Sequence, residues 1–411
     1  MERQPDSQHR PVAPDELELV ATGATAPDVL IVGAGPAGLA AAAALGRRGI
    51  SALVLERAES VAASWRLRYD RLRLNTSRWG STLPHAPYPK AAGLFPSRDQ
   101  VVTYLEDYAA HNSIEIRCCT VVERVDRDDH HWTLTTSAGP MTAAHLIIAT
   151  GHQHTPVVPP WPGSEQFSGR LLHSAAYRNP LEFRGAHVLV VGSGCSAMEI
   201  AYDLAEGGAS RVQMAIRTQP NIILRQVGPL PADIPARLMY RLPPRIGDRQ
   251  TRFIRRRTIG DLSAYGLVPP AEGSISRSRR EGKAPAILDK PVIDAIRQRR
   301  IEIVAAVESF DSTGVVLADR TRLEPDVVIA ATGYTAGLTP LVGHLDVLDE
   351  RGLPLIHGGP AAAPGLRFIG YQPRPAQIRH IGAQATRAAK QISKERKNSV
   401  TDVRRAAIPA L

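Results

Sequence analysis

Four short apolar runs, each closed by a glycine, punctuate an otherwise mixed sequence. The first, Asp28 to Gly33, reads DVLIVG; an alanine-rich stretch from Pro36 to Arg48 follows, and then another apolar run from Ser51 to Leu55. Apolar runs of this length bounded by turn residues predict buried strands, and the alanine-rich stretch predicts a helix. Strand, glycine turn, helix and strand make a βαβ unit. The same order recurs at His187–Val191, the turn Gly192–Ala197, a helix over Met198–Glu206 and a strand over Arg211–Ile216. The other two runs, HLIIATG at His145–Gly151 and DVVIAATG at Asp326–Gly333, share an ending and bracket the second unit. The economical path leaves the first domain after Gly151 and crosses by Pro156, Pro159, Pro160 and Pro162. It builds the second domain and returns near Gly333. A strand at Leu366–Gly370 and a helix over about Ile381–Ser393 then complete the first domain. The predicted fold is α/β, with two Rossmann-like dinucleotide-binding domains, the second inserted into the first. The first spans 28–160 and 330–393, the second 161–329, between a disordered extension at 1–27 and a frayed basic tail at 394–411.

The glycine turns say what each domain holds. Gly33-Ala34-Gly35-Pro36-Ala37-Gly38 is a complete G-x-G-x-x-G. Gly33 permits the tight turn, Gly35 lets the backbone approach a pyrophosphate, and Gly38 lets the helix pack closely on its strand. The helix start at Pro36 and Ala37 offers unpaired N–H groups and a positive dipole end to phosphates. The next strand ends at Glu56-Arg57, where a carboxylate can accept from both hydroxyls of a ribose. The second turn, Gly192-Ser193-Gly194-Cys195-Ser196-Ala197, carries alanine in third place, a permitted variant. Its following strand ends in Arg217-Thr218 with no acid. A guanidinium grips a 2′-phosphate that a carboxylate would repel, so this site is expected to take NADPH rather than NADH. Cys195 reads as a small filler of the turn, not a nucleophile.

Composition narrows the classes. A chain of 411 residues exceeds one compact core and suits two domains. No apolar run reaches bilayer-spanning length, and Met1–Pro27 lacks the basic-then-apolar order of a secretion signal. The cysteines are Cys118, Cys119 and Cys195, with no C-x-x-C, so a dithiol redox centre is not expected. No Cys/His set has zinc spacing, and no metal site is expected. These features fit a cytoplasmic protein. The net charge is +10 at a pI near 9.8, with arginine concentrated in 241–257, 277–283 and 297–300. No nucleic-acid motif accompanies these runs, which read as solvated faces with an attraction for anionic cofactors.

Between the two units, Phe167-Ser168-Gly169-Arg170-Leu171-Leu172-His173-Ser174-Ala175-Ala176-Tyr177 fits F-x-G-x-x-x-H-x-x-x-Y. Through this fingerprint the chain resembles the flavin-containing monooxygenases and their N-hydroxylating and YUCCA-like relatives. WRLRYDRLRLNT at Trp65–Thr76, LPPRIGDR at Leu242–Arg249, GKAPAILD at Gly282–Asp289 and ATGY at Ala331–Tyr334 are similar too, so the resemblance covers most of Asp28 to about Ser393. It implies FAD at the first site and NADPH at the second. It further implies hydride transfer to the flavin and addition of oxygen at carbon 4a to give a peroxyflavin, sheltered by retained NADP⁺ and a dry pocket.

The resemblance also assigns residues. Asn75 falls where a family asparagine contacts the flavin–nicotinamide region, as a donor to the oxygen adduct or a support for the nicotinamide amide; the alternative is a turn residue. His173 is expected as a linchpin of the domain interface more than as an acid or base. Tyr177 joins Asn75 and His173 as a catalytic candidate, expected to act by orienting the linker. Trp65 and Arg66 would lie near the flavin, with a plain core position the alternative for Trp65. The turns Thr150-Gly151 and Thr332-Gly333-Tyr334 would approach the nucleotides, alongside Ser193 and Ser196. The partners implied are molecular oxygen and a small molecule, either a nitrogen or sulfur nucleophile or an α-keto acid undergoing oxidative decarboxylation. Baeyer–Villiger enzymes usually close the fingerprint with Trp, whereas this chain has Tyr177-Arg178, which disfavours ketone insertion. The loop Tyr371–His380 departs from the YUCCA-like pattern and leaves Arg374 and Arg379 as candidates to receive an acidic substrate. Alternatives from other classes are an NADPH oxidase or flavin reductase releasing hydrogen peroxide and a nucleotide-sensing binding protein; homodimerisation is left open.

Overall fold

Strand Val29–Val32 is buried on both faces, the environment that a continuous apolar run requires. In the computed structural model it lies inside a six-stranded sheet. The order there is Ala361–Ala363, Leu366–Phe368, His145–Ile148, Val29–Val32, Ala52–Leu55 and Glu115–Arg117. All neighbours are parallel except the pair formed by Ala361–Ala363 and Leu366–Phe368. The structure describes residues 27–406 apart from 129, 130, 283 and 373, with side chains to Asn398. The expected extension before Pro27, Lys283 of the second arginine-rich run and the end of the basic tail lie outside the described residues.

Helix Pro36–Gly46 presses its alanines onto one face of this sheet, and Ala37 to Leu45 are all buried. Side chains this small allow the long C-terminal helix, Gln377–Ala406, to pack directly against it. That helix was expected over about Ile381–Ser393; it begins earlier and takes in most of the segment read as a frayed tail. The opposite face is covered by an antiparallel sheet of Val122–Arg127, Trp132–Thr136 and Met141–Ala143, which the sequence reading did not anticipate. Trp132 is fully buried there, and its indole N–H donates to the Pro364 carbonyl at 3.0 Å.

The second sheet is wholly parallel, in the order Glu302–Val304, Arg211–Ala215, His187–Val191, Val327–Ala330 and Arg170–His173. Helices Cys195–Gly207 and Lys290–Arg297 cover one face. A three-stranded antiparallel unit (Val307–Phe310, Val315–Leu317, Arg322–Leu323) covers the other. The run His145–Ile148 therefore belongs to the first sheet and Val327–Ala330 to the second. The outgoing chain at Thr155–Pro156 pairs antiparallel with the returning chain at Tyr334–Thr335, so both crossings run side by side.

The two sheets repeat one local design. Gly33 takes φ +105°, and a Cβ there would stand 2.9 Å from the Ala149 carbonyl oxygen. Gly192 takes φ +142°, and a Cβ there would stand 2.5 Å from the Ala331 carbonyl oxygen. Each glycine turn thus closes against the turn that ends the neighbouring strand, which is where open parallel sheets bind ligands.

Candidate active site

Both glycine-turn helices begin bare. The helix starting at Pro36 has Gly35 as N-cap and the helix starting at Cys195 has Gly194, and neither cap supplies a side-chain hydrogen bond. A Cβ built on Gly35 or Gly194 meets nothing within 4 Å, so each turn opens onto free space. Uncapped N–H groups around Ala37, Gly38, Ser196 and Ala197, facing room for a ligand, are what a pyrophosphate needs. Gly38 packs the other way: a Cβ there would fall 1.8 Å from the Gly33 carbonyl oxygen, so the helix sits as tightly on its strand as the motif requires.

Beyond the first turn, the Glu56 carboxylate accepts from the Ala34 N–H at 2.8 Å and the Ala58 N–H at 3.0 Å. Each oxygen keeps a lone pair for a ribose hydroxyl. Arg57 beside it is exposed. Beyond the second turn, Arg217 and Thr218 are exposed, and the Ser193 hydroxyl donates to the Thr218 carbonyl at 3.0 Å. That bond ties the phosphate turn to the strand end carrying Arg217. Cys195 turns inward. Its sulfur accepts from the Ile287 N–H at 3.2 Å, and burial pushes the thiol up to about 11, so it is a packed, inert thiol.

Between the cradles lies a set of interlocking bonds. His173 Nδ1 accepts from the Ala175 N–H at 3.0 Å, which places the ring proton on Nε2; Nε2 donates to the Gly333 carbonyl at 3.0 Å. The same carbonyl accepts from the Val157 N–H at 3.0 Å, and the Thr332 hydroxyl donates to the Val157 carbonyl. Burial holds His173 below the usual imidazole range. Tyr334 stands edge-on to His173 at 5.0 Å, and its hydroxyl accepts from Arg68 Nη1 at 2.9 Å. Thr150 is fixed by Tyr371, whose hydroxyl accepts from the Thr150 N–H at 3.1 Å and pairs with its hydroxyl at 2.8 Å. Gly151, at φ +86°, has open space around its Cα.

The other expected residues divide. Asn75 has a buried Oδ1 with no hydrogen-bond partner. A buried amide oxygen left without a protein partner fits a group supplied by a bound cofactor. Trp65 packs, half-buried, against the first core, whereas Arg66 is exposed and paired with Glu106, turned toward helix Arg98–His111. Tyr177, a catalytic candidate in the fingerprint, is instead fully buried, stacked on Phe183, with its hydroxyl donating to Asp203 at 2.8 Å. A committed, solvent-free phenol in the second core cannot touch a substrate; it anchors the linker. Arg374 lies over the Tyr240 ring at 5.3 Å, and Arg379 donates to the Trp79 carbonyl at 3.3 Å.

Three polar groups join the domains without a sequence signal. Tyr69, from the segment that carries Asn75, donates to Glu199 Oε2 at 2.5 Å, and Arg225 pairs with the other Glu199 oxygen. Burial pushes the Glu199 carboxyl up, and Arg225 offsets part of that rise. Nearby, the Asp233 carboxylate accepts from both the N–H and the hydroxyl of Ser77 at 2.9 Å.

Comparison with known proteins decides the family. The profile described as pyridine nucleotide-disulphide oxidoreductase matches residues 30–227. The indole-3-pyruvate monooxygenase YUCCA1 of Oryza sativa subsp. japonica is 36% identical over 76% of this chain and 78% of its own. The chain belongs to the YUCCA-like flavin-containing monooxygenases. The indole-3-pyruvate monooxygenase YUCCA8 of Oryza sativa subsp. indica is 34% identical over 89% of this chain and 90% of its own. In fold, this YUCCA-like enzyme is similar to a flavin-containing monooxygenase from Stenotrophomonas maltophilia, with a TM-score of 0.68 at 24% identity over 90% of this chain and 99% of that one. It is an NADPH- and FAD-dependent oxidoreductase that oxygenates a small molecule. Cys118, Cys119 and Cys195 are free, and Cys195 is packed inside the second turn. Among the described residues, no helix is long and apolar enough to cross a membrane.

Proposed function

We propose that this enzyme carries out oxidative decarboxylation of an aryl-substituted α-keto acid of the indole-3-pyruvate type. The observation that carries this reading is similarity to a relative named for that substrate, at 36% identity over 76% of the chain, combined with the orphaned, buried Asn75 oxygen. Bound FAD and NADPH would supply the electrons and the activation of oxygen. The balance is one α-keto acid, one O₂, one NADPH and one proton giving the shortened carboxylic acid, CO₂, water and NADP⁺.

The chain's own residues supply binding and position. The bare helix starts at Ala37 and Ser196 hold the two pyrophosphates. Glu56 takes the adenosine ribose of FAD, while Arg217 and Thr218 take the 2′-phosphate of NADPH. Thr150-Gly151 and Thr332-Gly333 would flank the flavin and nicotinamide rings of the bound cofactors. Asn75 would serve those rings with its amide, its NH₂ as a donor toward developing negative charge and its Oδ1 as an acceptor for a nicotinamide amide. His173, neutral and bonded on both nitrogens, holds the linker against the returning strand and moves no proton. The free thiols suit work in the reducing cytoplasm.

The test is steady-state NADPH consumption with indole-3-pyruvate, phenylpyruvate, amines, thioethers and ketones, with product identification. The reading requires the shortened acid and CO₂ from an aryl pyruvate, close to one per NADPH. Turnover of thioethers or amines with none of the α-keto acids sinks it.

A further inference from the structure

The second domain carries an exposed, arginine-rich surface away from its glycine turn in sequence. Residues 234–258 hold eight arginines and a single acid, Asp248. That acid is buried and spent on helix Ser274–Glu281, accepting from the Ile275 N–H at 2.8 Å and from the Ser276 hydroxyl. Helix Pro244–Thr258 sorts its other residues into three stripes at helical spacing. Gly247, Thr251, Ile254 and Thr258 face the protein. Arg245, Arg249, Arg252 and Arg256 form an exposed charged stripe. Ile246, Gln250, Phe253 and Arg257 form the third, with Ile246 48% and Phe253 60% exposed. A groove of about 460 Å³ joins Ile246 and Phe253 to Met239, at the end of the preceding helix, whose Leu238 is 65% exposed.

The charges here are unneutralised. Other surface arginines find acids, as in Arg211–Glu302, Arg280–Glu272, Arg300–Glu206 and Arg322–Asp311. Arg237, Arg241, Arg245, Arg249 and Arg256 have no acidic partner among the described residues. Exposed large apolar side chains set beside unpaired arginines are the signature of an interfacial surface. A two-fold contact between copies would set arginines against arginines, so charge argues against self-pairing. A nucleic-acid backbone would use the arginines but not the apolar stripe.

We propose that helix Pro244–Thr258, with the end of helix Asp233–Met239, docks this enzyme peripherally on an anionic lipid bilayer, the apolar stripe entering the headgroup boundary and the arginines engaging lipid phosphates. This does not depend on which substrate is oxidised. The test is flotation of the FAD-loaded enzyme with phosphatidylcholine vesicles, with and without phosphatidylglycerol. Binding is expected only with the anionic lipid and to weaken with salt. Exchanging Arg245, Arg249 and Arg256 for Gln is expected to lower it roughly a hundredfold. Ile246→Ser with Phe253→Ser is expected to lower it at least about tenfold with all charges intact. Both variants should keep their flavin and their NADPH turnover. Failure to float with anionic vesicles at low salt overturns the proposal. So does undiminished binding by the Ile246/Phe253 variant, which marks a purely electrostatic polyanion site. A concentration-dependent dimer abolished by Phe253→Ser also overturns it, since the apolar stripe then belongs to a second copy.

Discussion

His173 Nε2 donates to the carbonyl of Gly333 at 3.0 Å, joining the strand that opens the second domain to the turn through which the chain leaves it. Because Nδ1 accepts from the Ala175 N–H, no ring nitrogen is left for substrate. His173→Ala removes the brace and leaves the Ala175 donor unpaired. The expected result is a tenfold or greater fall in coupled turnover, with more NADPH ending as hydrogen peroxide, at a cost of about 1–3 kcal/mol in stability. The pH profile of kcat should keep its shape in the variant, since His173 is a positioning residue. Loss of one limb of that profile would make it a proton carrier.

Arg217 is exposed at the strand end beside the second turn, anchored through Ser193 and Thr218. Arg217→Ala should weaken NADPH binding by about tenfold to a hundredfold, the range for a charged hydrogen-bonded contact, and leave NADH nearly unchanged. Dissociation constants for both dinucleotides check it. Equal losses would reassign Arg217 to a structural role.

The Arg225–Glu199–Tyr69 network is buried, and Arg225 is only 3% exposed. Arg225→Met strands the Glu199 carboxyl and should destabilise the protein by about 3–5 kcal/mol. Adding Glu199→Leu should recover much of that loss in chemical denaturation. The double variant should still uncouple turnover, because Tyr69 then loses its hold on the segment bearing Asn75. Additive destabilisation would show that the pair is not coupled.

Acid should loosen the enzyme through its histidines. Burial lowers the proton affinity of His145, His152, His173, His357 and His380. The unfolded chain takes up those protons near pH 6.5, and the folded protein only at lower pH. Their contribution is therefore complete above about pH 6.5, falls as pH drops through the unfolded value toward the folded ones, and levels off below them. Melting temperatures measured from pH 8 to pH 5 should decline over that span; a flat curve would contradict the assignment.

Much of this was legible in the chain because the relevant signals are local. The strands at Val29–Val32 and His187–Val191, the glycine turns and the return near Gly333 follow from apolar runs and backbone requirements within a few residues. Tyr371, Glu199, Arg225 and the Ser77–Asp233 bond were not legible. Glu199 sits in a helix pattern where an acid ordinarily marks a solvent face, and only the packing of residues far apart in sequence turns it inward. Tyr177 was misplaced for the converse reason: a fingerprint position carries weight in sequence whether it touches substrate or holds a linker. The terminal helix outran its expected end at Ser393 because a basic stretch reads equally as a tail or as an exposed helix face.

The central claim is that the two cradles deliver one nicotinamide to one isoalloxazine. Anaerobic mixing of FAD-loaded protein with NADPH, followed by readmission of oxygen with an aryl pyruvate, tests it most directly. The account requires rapid bleaching of the oxidised flavin by NADPH, much slower bleaching by NADH, and then close to one molecule of shortened acid per flavin reoxidised. A flavin that NADPH leaves oxidised would contradict it, as would reoxidation that returns all the oxygen as hydrogen peroxide.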